Sequence, residues 1–426
     1  MENATGKRHG TTVAFGKLLS GSGLGYATLL VLSPLLTRLY SPTDFGRFAV
    51  FGALVAIASI FATLSFEFGI LGGRRRSDAL GYAFVALACL LTMTGATLAL
   101  LALSAVLGME PALPHWVLLS AVVSCFLAAL TSIGINWAIR SERPGVAARG
   151  TFVSLSGRSA SQAALGFLVG GLPGLVVGEL LGRVAGWLTV ERGIVLHGVR
   201  SILAKPHKVR KGFSARMDYP LYTTPGMALE TALVWLPAPL FALFFDPTVG
   251  GYVALVQRLG SAPLTVANQS LGQLFHRRAS QLVDTKPGRI VQFVVGLSVL
   301  TMPLTLAVGL VLWFWGEQLA VLVLGRQWST AGFVALAFLP LYYLQFLSLM
   351  TNRLLLILGR MRLKLIASAT HVLLISGGCA ATASMGMSWQ SAIIAVPAVL
   401  ALSHFAFLLI AIAMLGRHRT EVRLPA

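Results

Sequence analysis

Long apolar stretches recur along the whole chain, and they constrain its fold more than any other feature. Each approaches or exceeds the ~20 residues needed to cross ~30 Å of hydrocarbon. They fall at 14–36, 45–70, 80–107, 116–139, 151–171 and 174–197 in the first half, and at 219–245, 250–275, 291–315, 330–351, 364–385 and 388–415 in the second. A backbone inside lipid has no water to bond, so its N–H and C=O groups must be satisfied within the protein. For segments of this length the solution is the α-helix. The expected fold is therefore an all-α integral membrane protein with about twelve transmembrane helices, about six in each half. Composition agrees: 56% of residues are hydrophobic, 11% are charged and mean hydropathy is +0.80, against roughly 25% charged in an average soluble domain. The first stretch is long, lacks a small-residue cleavage site and holds Pro34 and Arg38 near its end, so it is expected to remain as helix 1.

Basic residues follow the same alternation. One set of alternate gaps holds Lys7 and Arg8, then Arg74, Arg75 and Arg76, then Arg140, Arg143 and Arg149, then Arg200, Lys205, Lys208, Arg210, Lys211 and Arg216, and it stays basic to the C-terminus. The opposite set holds only Arg38, Arg47 and Arg326. Cytoplasmic loops carry the excess of Lys and Arg, so both termini are expected in the cytoplasm. The net charge of +19 would suggest nucleic acid in a soluble chain. Here orientation and contact with anionic headgroups account for it, so membrane lipids are expected partners and nucleic acid is not.

The chain also repeats itself. A shift of 205 residues places Pro34 on Pro239, Pro42 on Pro247, Thr43 on Thr248, Gly46 on Gly251, Ala49 on Ala254 and Leu54 on Leu259. With an even number of helices per half, both halves enter from the cytoplasm, and the pseudo-two-fold axis lies along the membrane normal. The expected organisation is an N-terminal lobe over 1–197, a basic cytoplasmic linker over 198–217 and a C-terminal lobe over 218–426. Transporters built from such halves place their substrate between them. Cys89, Cys125 and Cys379 all fall inside spans without a CxxC pairing or neighbouring His, so neither a disulfide nor a metal site is expected.

The repeated motif has a plain local role. Ser41 reads as an N-cap, Pro42 as the first helical residue and Asp44 as the reciprocal partner of a capping box; Asp246-Pro247 does the same for helix 8. Beyond this role, the stretch Gly16 to Asp78, with PLLTRLYSPTDFGRFAVFGALVAIASIFATLSFEFGI at its centre, resembles the first two helices of bacterial oligosaccharide flippases. These O-antigen and exopolysaccharide transporters belong to the multidrug/oligosaccharidyl-lipid/polysaccharide exporter superfamily. The letters match over roughly the first 80 residues, and hydropathy and duplication carry the likeness onward. The resemblance implies two pseudo-symmetric six-helix lobes around a central cavity in a bacterial inner membrane. It also implies outward movement of undecaprenyl-diphosphate-linked oligosaccharide, cationic residues that meet the diphosphate, no cofactor, and partners among polysaccharide polymerase and assembly proteins.

Charges within the spans are the candidate site residues, because an isolated Arg or Lys at mid-bilayer costs about 2.5–3.5 kcal/mol even on lenient scales. Lys17, one turn from the end of helix 1, either snorkels to the interface or faces a cavity. Arg38 and Arg47 read equally as interfacial anchors or ligands. Glu179 and Arg183 stand four apart with the acid first, the favourable order for an intrahelical pair. Arg158 and Arg258 have no opposite charge three or four residues away, so another helix, water or substrate must compensate them. Arg258 aligns with Ala53 across the repeat, which marks it as particular to one half. Glu67 and Glu230 are the acids suited to a coupling proton or ion, or to pairing with an arginine. Guanidinium groups suit a diphosphate because they donate forked, charge-assisted hydrogen bonds without losing their proton. The membrane potential favours an anion leaving a negative cytoplasm by about 2.3 kcal/mol per charge per 100 mV.

No GxxxxGK[ST] phosphate loop is present, and Gly21-Ser22-Gly23-Leu24-Gly25 reads as a packing or bending segment. Pro34 and Pro239 mark helices 1 and 7 as bending elements. Two other functions compete. A cation-coupled multidrug exporter shares the architecture, but the spans here hold Lys17, Arg158, Arg183, Arg192 and Arg258 against Glu67, Glu179 and Glu230, a balance unsuited to cationic drugs. A membrane enzyme such as a polymerase or ligase needs a catalytic outer loop, and the stretch near Gly316 to Thr330 holds no acid pair or His cluster.

Overall fold

A computed structural model describes residues 2–73, 75–107, 113–190, 193, 213–214, 216–283 and 285–423, with the side chains of 2–20, 262, 266–270, 273 and 416–423 outside the description. Among the described residues the regular structure is helical. The helices are α1 (Glu2–Leu39), α2 (Pro42–Thr63), α3 (Phe66–Gly72), α4 (Arg76–Val106), α5 (His115–Arg140), α6 (Pro144–Leu168), α7 (Gly171–Thr189), α8 (Thr224–Trp235), α9 (Pro237–Phe244), α10 (Pro247–Leu282), α11 (Pro287–Leu324), α12 (Ala331–Ile357), α13 (Met361–Ser384) and α14 (Trp389–Arg423). A π-helical turn at Tyr219–Thr223 precedes α8 and a 3-10 turn at Arg326–Trp328 precedes α12.

The chain forms two compact units. One is Met1–Tyr40 with Phe48–Trp235; the other is Leu236–Ala426 with the short segment Ser41–Arg47. The break at Trp235 falls later than the expected linker at 198–217, whose residues Arg200, Lys205, Lys208, Arg210 and Lys211 lie outside the described ones. Local contacts explain the shift: the Thr224 hydroxyl donates to Ser65 Oγ at 3.1 Å and the Tyr219 ring stacks on Phe66 with centroids 5.5 Å apart, so α8 packs with the first unit.

In the first unit α6 packs against α1 and α7, while α5 touches α4, α6 and α7, and α3 lies on α4 and α5. Apolar clusters fill the seams, with Phe51, Val55, Val117, Ala121 and Val176 in one and Phe66, Ile70, Val85, Ile133 and Trp137 in another. In the second unit α12 contacts α10, α11 and α14, closing over Phe275, Ile290, Met350, Leu354, Leu408 and Leu415. The outer face of α11 does the reverse: Val299, Leu300, Leu304, Trp313 and Phe314 are all exposed. In water that patch would drive aggregation; against acyl chains it is the ordinary lipid-facing surface.

Among the described residues seven helical segments are long and apolar enough to cross a membrane, namely α2, α4, α5, α11, α12 with its preceding turn, α13 and α14, and the α8–α9 pair counted as one broken span makes up to eight. The protein is a multi-pass membrane protein. Helices α1, α6, α7 and α10 stand where the remaining spans were expected; α6 and α7 are less apolar because they carry polar and charged residues, while part of α1 and of α10 lies outside the described side chains. Helix α6 alone holds Thr151, Ser154, Ser156, Arg158, Ser159, Ser161 and Gln162.

Of the two expected bends, one appears. Helix α1 runs on through Pro34, whereas the expected helix 7 is broken at Leu236, with α9 starting at Pro237, where the ring removes a backbone donor. A second break has no proline or glycine. The apolar stretch 45–70 reads as one helix, yet α2 ends at Thr63 and Leu64 and Ser65 turn left-handed at φ 49° and 60° before α3 begins.

The capping motif forms as expected. Ser41 Oγ accepts from Asp44 N at 3.2 Å and Asp44 Oδ2 accepts from Ser41 N at 3.1 Å; Asp246 Oδ1 accepts from Thr248 N at 2.7 Å. Within the second unit the two copies of the motif also meet each other. The Thr43 and Thr248 hydroxyls are 3.0 Å apart. A Cβ on Gly46 would strike Pro247 O, and one on Gly251 would strike Pro42 O. Each residue thus touches its own duplicate or its duplicate's neighbour, the reciprocity of a two-fold contact.

Candidate functional site

In the first unit, a stripe of glycines one turn apart on α7 controls how closely α6 approaches. A Cβ on Gly178 would lie 2.7 Å from Gln162 N, one on Gly186 2.6 Å from Ser154 Cβ, and one on Gly182 would strike the Arg158 backbone. Small residues at four-residue spacing allow such backbone contact. Tyr40 and Gln162 hold the seam, with Tyr40 Oη donating to Gln162 O at 2.7 Å and Gln162 Nε2 donating to Leu175 O at 3.2 Å. From α1, Gly21 admits the Ala148 backbone, and Ser156 Oγ donates to Thr28 Oγ1 at 3.2 Å.

This close approach brings three charges together. Glu179 Oε1 accepts from Arg158 Nη1 at 2.9 Å, and from Arg183 Nε at 2.9 Å and Nη2 at 2.7 Å. Arg158 Nε also donates to Ser154 O at 3.3 Å. The side chains are 22% exposed for Arg158, 16% for Arg183 and 8% for Glu179. Two guanidinium ions facing one carboxylate leave a net charge of +1, held in a largely desolvated place where its field is poorly screened. The Glu179–Arg183 pair expected from spacing is present, but it is not a closed neutral pair, because Arg158 shares the carboxylate. The compensation that Arg158 required from outside its own helix comes from α7.

The other candidates lie on several elements. Arg258 is half-buried in α10 of the second unit, and Glu230 is half-buried in α8. Arg38 and Arg47 are exposed near the α1–α2 turn. The side chain of Lys17 lies outside the described residues. Glu67 is buried in α3, just after the break.

Two features escaped the sequence reading. The α7 glycine stripe was legible in its spacing. The pair His371 and His404 was not, since nothing in sequence relates α13 to α14; their rings stack with centroids 3.9 Å apart, and His404 Nδ1 lies 2.9 Å from Ser348 Oγ. Among the described residues no group of three or more His, Cys, Asp or Glu is arranged to hold a metal ion.

No protein-family profile and no curated protein matches the chain in sequence. Solved structures do match in fold over almost its whole length. One is a MOP superfamily transporter from Pyrococcus furiosus, described as having a binding pocket of reverse polarity, with TM-score 0.60 at 13% identity over 97% of this chain and 96% of that one. The lipid II flippase MurJ in an inward closed conformation superposes with TM-score 0.59 at 12% identity, over 97% and 90% of the two chains. An inward-facing multidrug resistance MATE family transporter gives 0.57 at 12% identity over 95% of each. At these identities the likeness is one of architecture: the chain has the all-helical fold of MOP superfamily transporters.

Proposed function

We propose that this protein is a flippase that moves undecaprenyl-diphosphate-linked oligosaccharide from the cytoplasmic to the outer leaflet of a bacterial inner membrane, for surface polysaccharide assembly. The observation that carries this reading is the net-positive Arg158–Glu179–Arg183 cluster. A diphosphate brings about two negative charges, and guanidinium groups replace its lost hydration with charge-assisted hydrogen bonds. The lipid II flippase among the fold neighbours supports a lipid-linked cargo. Alternating access is the proposed mechanism. Two six-helix lobes, 1–197 and 218–426, joined by 198–217 and with both termini cytoplasmic, take the headgroup into a basic central cavity while the polyprenyl tail stays in lipid. They then rock open outward. Arg258, Arg38, Arg47 and Lys17 are the further proposed cargo ligands. The MATE neighbour supports a second reading, a cation-coupled exporter of small molecules, but a cationic drug would be repelled by the cluster.

The test is complementation of a strain lacking the protein. Arg158→Ala and Arg258→Ala, at normal membrane abundance, are expected to lose surface glycan export. Full activity of both variants would remove the basic-cavity assignment.

A further inference from the structure

Glu179 meets both arginines of the cluster with one oxygen. Its Oε1 accepts from Arg158 Nη1, Arg183 Nε and Arg183 Nη2, while among the described residues nothing donates to Oε2. The arginines are equally unspent, since a guanidinium carries more N–H donors than these bonds use. Arg158 commits Nη1 to Glu179 and Nε to Ser154 O, and Arg183 commits Nε and Nη2 to Glu179. Arg158 Nη2, Arg183 Nη1 and Glu179 Oε2 thus have no bond to a described residue, and none of the three is a buried atom. The cluster therefore keeps a polar surface that a ligand can reach.

Two guanidinium groups converging on one point form the donor set for a phosphate, and here a carboxylate of the same chain already fills it. Glu179 lies one helical turn from Arg183 on α7. Its effective concentration at the arginines is high, and a dissolved anion must compete with it. A singly charged anion brings no more charge than Glu179 and lacks its tether. A diphosphate brings about two charges and several further acceptor oxygens for the unused donors. When such a ligand leaves, return of the carboxylate prevents two guanidinium ions from facing each other in a desolvated place.

We propose that Glu179 is a tethered stand-in for the cargo's phosphate: it occupies Arg158 and Arg183 in the empty protein, yields them to a multiply charged phosphate group, and takes them back as that group leaves. The inference rests on the cargo reading above and adds to it a specificity and release role for Glu179. The carboxylate keeps singly charged anions off the arginines. It also keeps the phosphate ligand from being held too tightly to leave, the balance that a translocating site requires. A carboxylate that only joined α6 to α7 would behave differently, because its removal would weaken ligand binding and transport together.

The experiment titrates purified full-length wild type, Glu179→Gln and Arg158→Ala in lipid nanodiscs with inorganic pyrophosphate, and with dimethyl phosphate as the singly charged probe. Binding is read by calorimetry, and surface glycan export is measured in complemented cells at equal protein abundance. Glu179→Gln is expected to bind pyrophosphate about tenfold more tightly than wild type, to gain affinity for dimethyl phosphate, and yet to export less glycan. Arg158→Ala is expected to lose pyrophosphate binding. Equal or weaker pyrophosphate binding in Glu179→Gln, where wild type binds and Arg158→Ala does not, would overturn the proposal and leave the cargo reading standing. Tighter binding with undiminished export would overturn it too, since release would then not depend on Glu179. Absence of pyrophosphate binding from both wild type and Glu179→Gln would overturn the proposal and the basic-cavity reading together. Should Glu179→Gln not fold, Glu179→Asp replaces it, because its shorter side chain reaches the arginines less well; the same outcomes decide, with a smaller gain in affinity expected.

Discussion

Glu179 holds two arginines through one oxygen, and that arrangement decides what its removal does. Glu179→Gln leaves two guanidinium ions facing each other in a largely dry place, and breaking a buried pair in this way typically costs about 3–5 kcal/mol. The expected outcome is a clear fall in the unfolding temperature in nanodiscs. Combining it with Arg183→Gln, which removes the repulsion between the two arginines but leaves Arg158 without a carboxylate, should recover part of the loss; no recovery in the double variant would mean that repulsion between the arginines does not explain the fall. At this scale the sequence was partly legible. The i, i+4 order of Glu179 and Arg183 announced their pair, and Arg158 was known to need a partner elsewhere. That the partner is the same carboxylate was hidden, because a contact between residues 21 apart depends on how two helices pack.

The packing is set at the scale of elements. Gly178, Gly182 and Gly186 face α6 at backbone distance, so Gly182→Val should push α6 away, lower stability and open the charge cluster. Gly81→Ala and Gly95→Ala on α4, where an added Cβ meets nothing within 4 Å, should instead be neutral or raise stability by about 0.5–1 kcal/mol each. Thermal unfolding of the three variants side by side checks this. The start of α2 offers a second test: Ser41→Ala removes the capping hydroxyl that bonds Asp44 N and should cost about 1 kcal/mol. The apolar periods and the Ser-Pro-Thr-Asp signal made the helices and this cap readable in advance. The α2–α3 break was unreadable, since Leu64-Ser65 carries no Gly or Pro; its left-handed turn follows from buried contacts such as Thr224 on Ser65, which belong to tertiary structure.

Over the whole molecule the duplication is the organising feature, and the 205-residue shift is realised as physical contact in the Thr43–Thr248 bond. The contact is reciprocal, so Gly46→Val and Gly251→Val should damage stability and transport to a similar degree. A variant pair that differs strongly would show that the two copies carry unequal roles. Hydropathy made a multi-pass helical membrane protein readable from the chain, and the fold neighbours agree with that architecture. The later boundary at Trp235 was not readable, because it reflects α8 packing with the first unit through Tyr219 and Thr224. Architecture alone does not separate the two proposed cargoes, since a MurJ and a MATE structure both match this chain in fold. The most direct test is therefore the lipid-linked oligosaccharide pool in cells that lack this protein but keep the glycan's assembly enzymes and have no second flippase. The account predicts accumulation on the cytoplasmic leaflet, relieved by wild type and not by Arg158→Ala at equal abundance. Normal lipid intermediates and surface glycan, with raised sensitivity to cationic drugs, would contradict it.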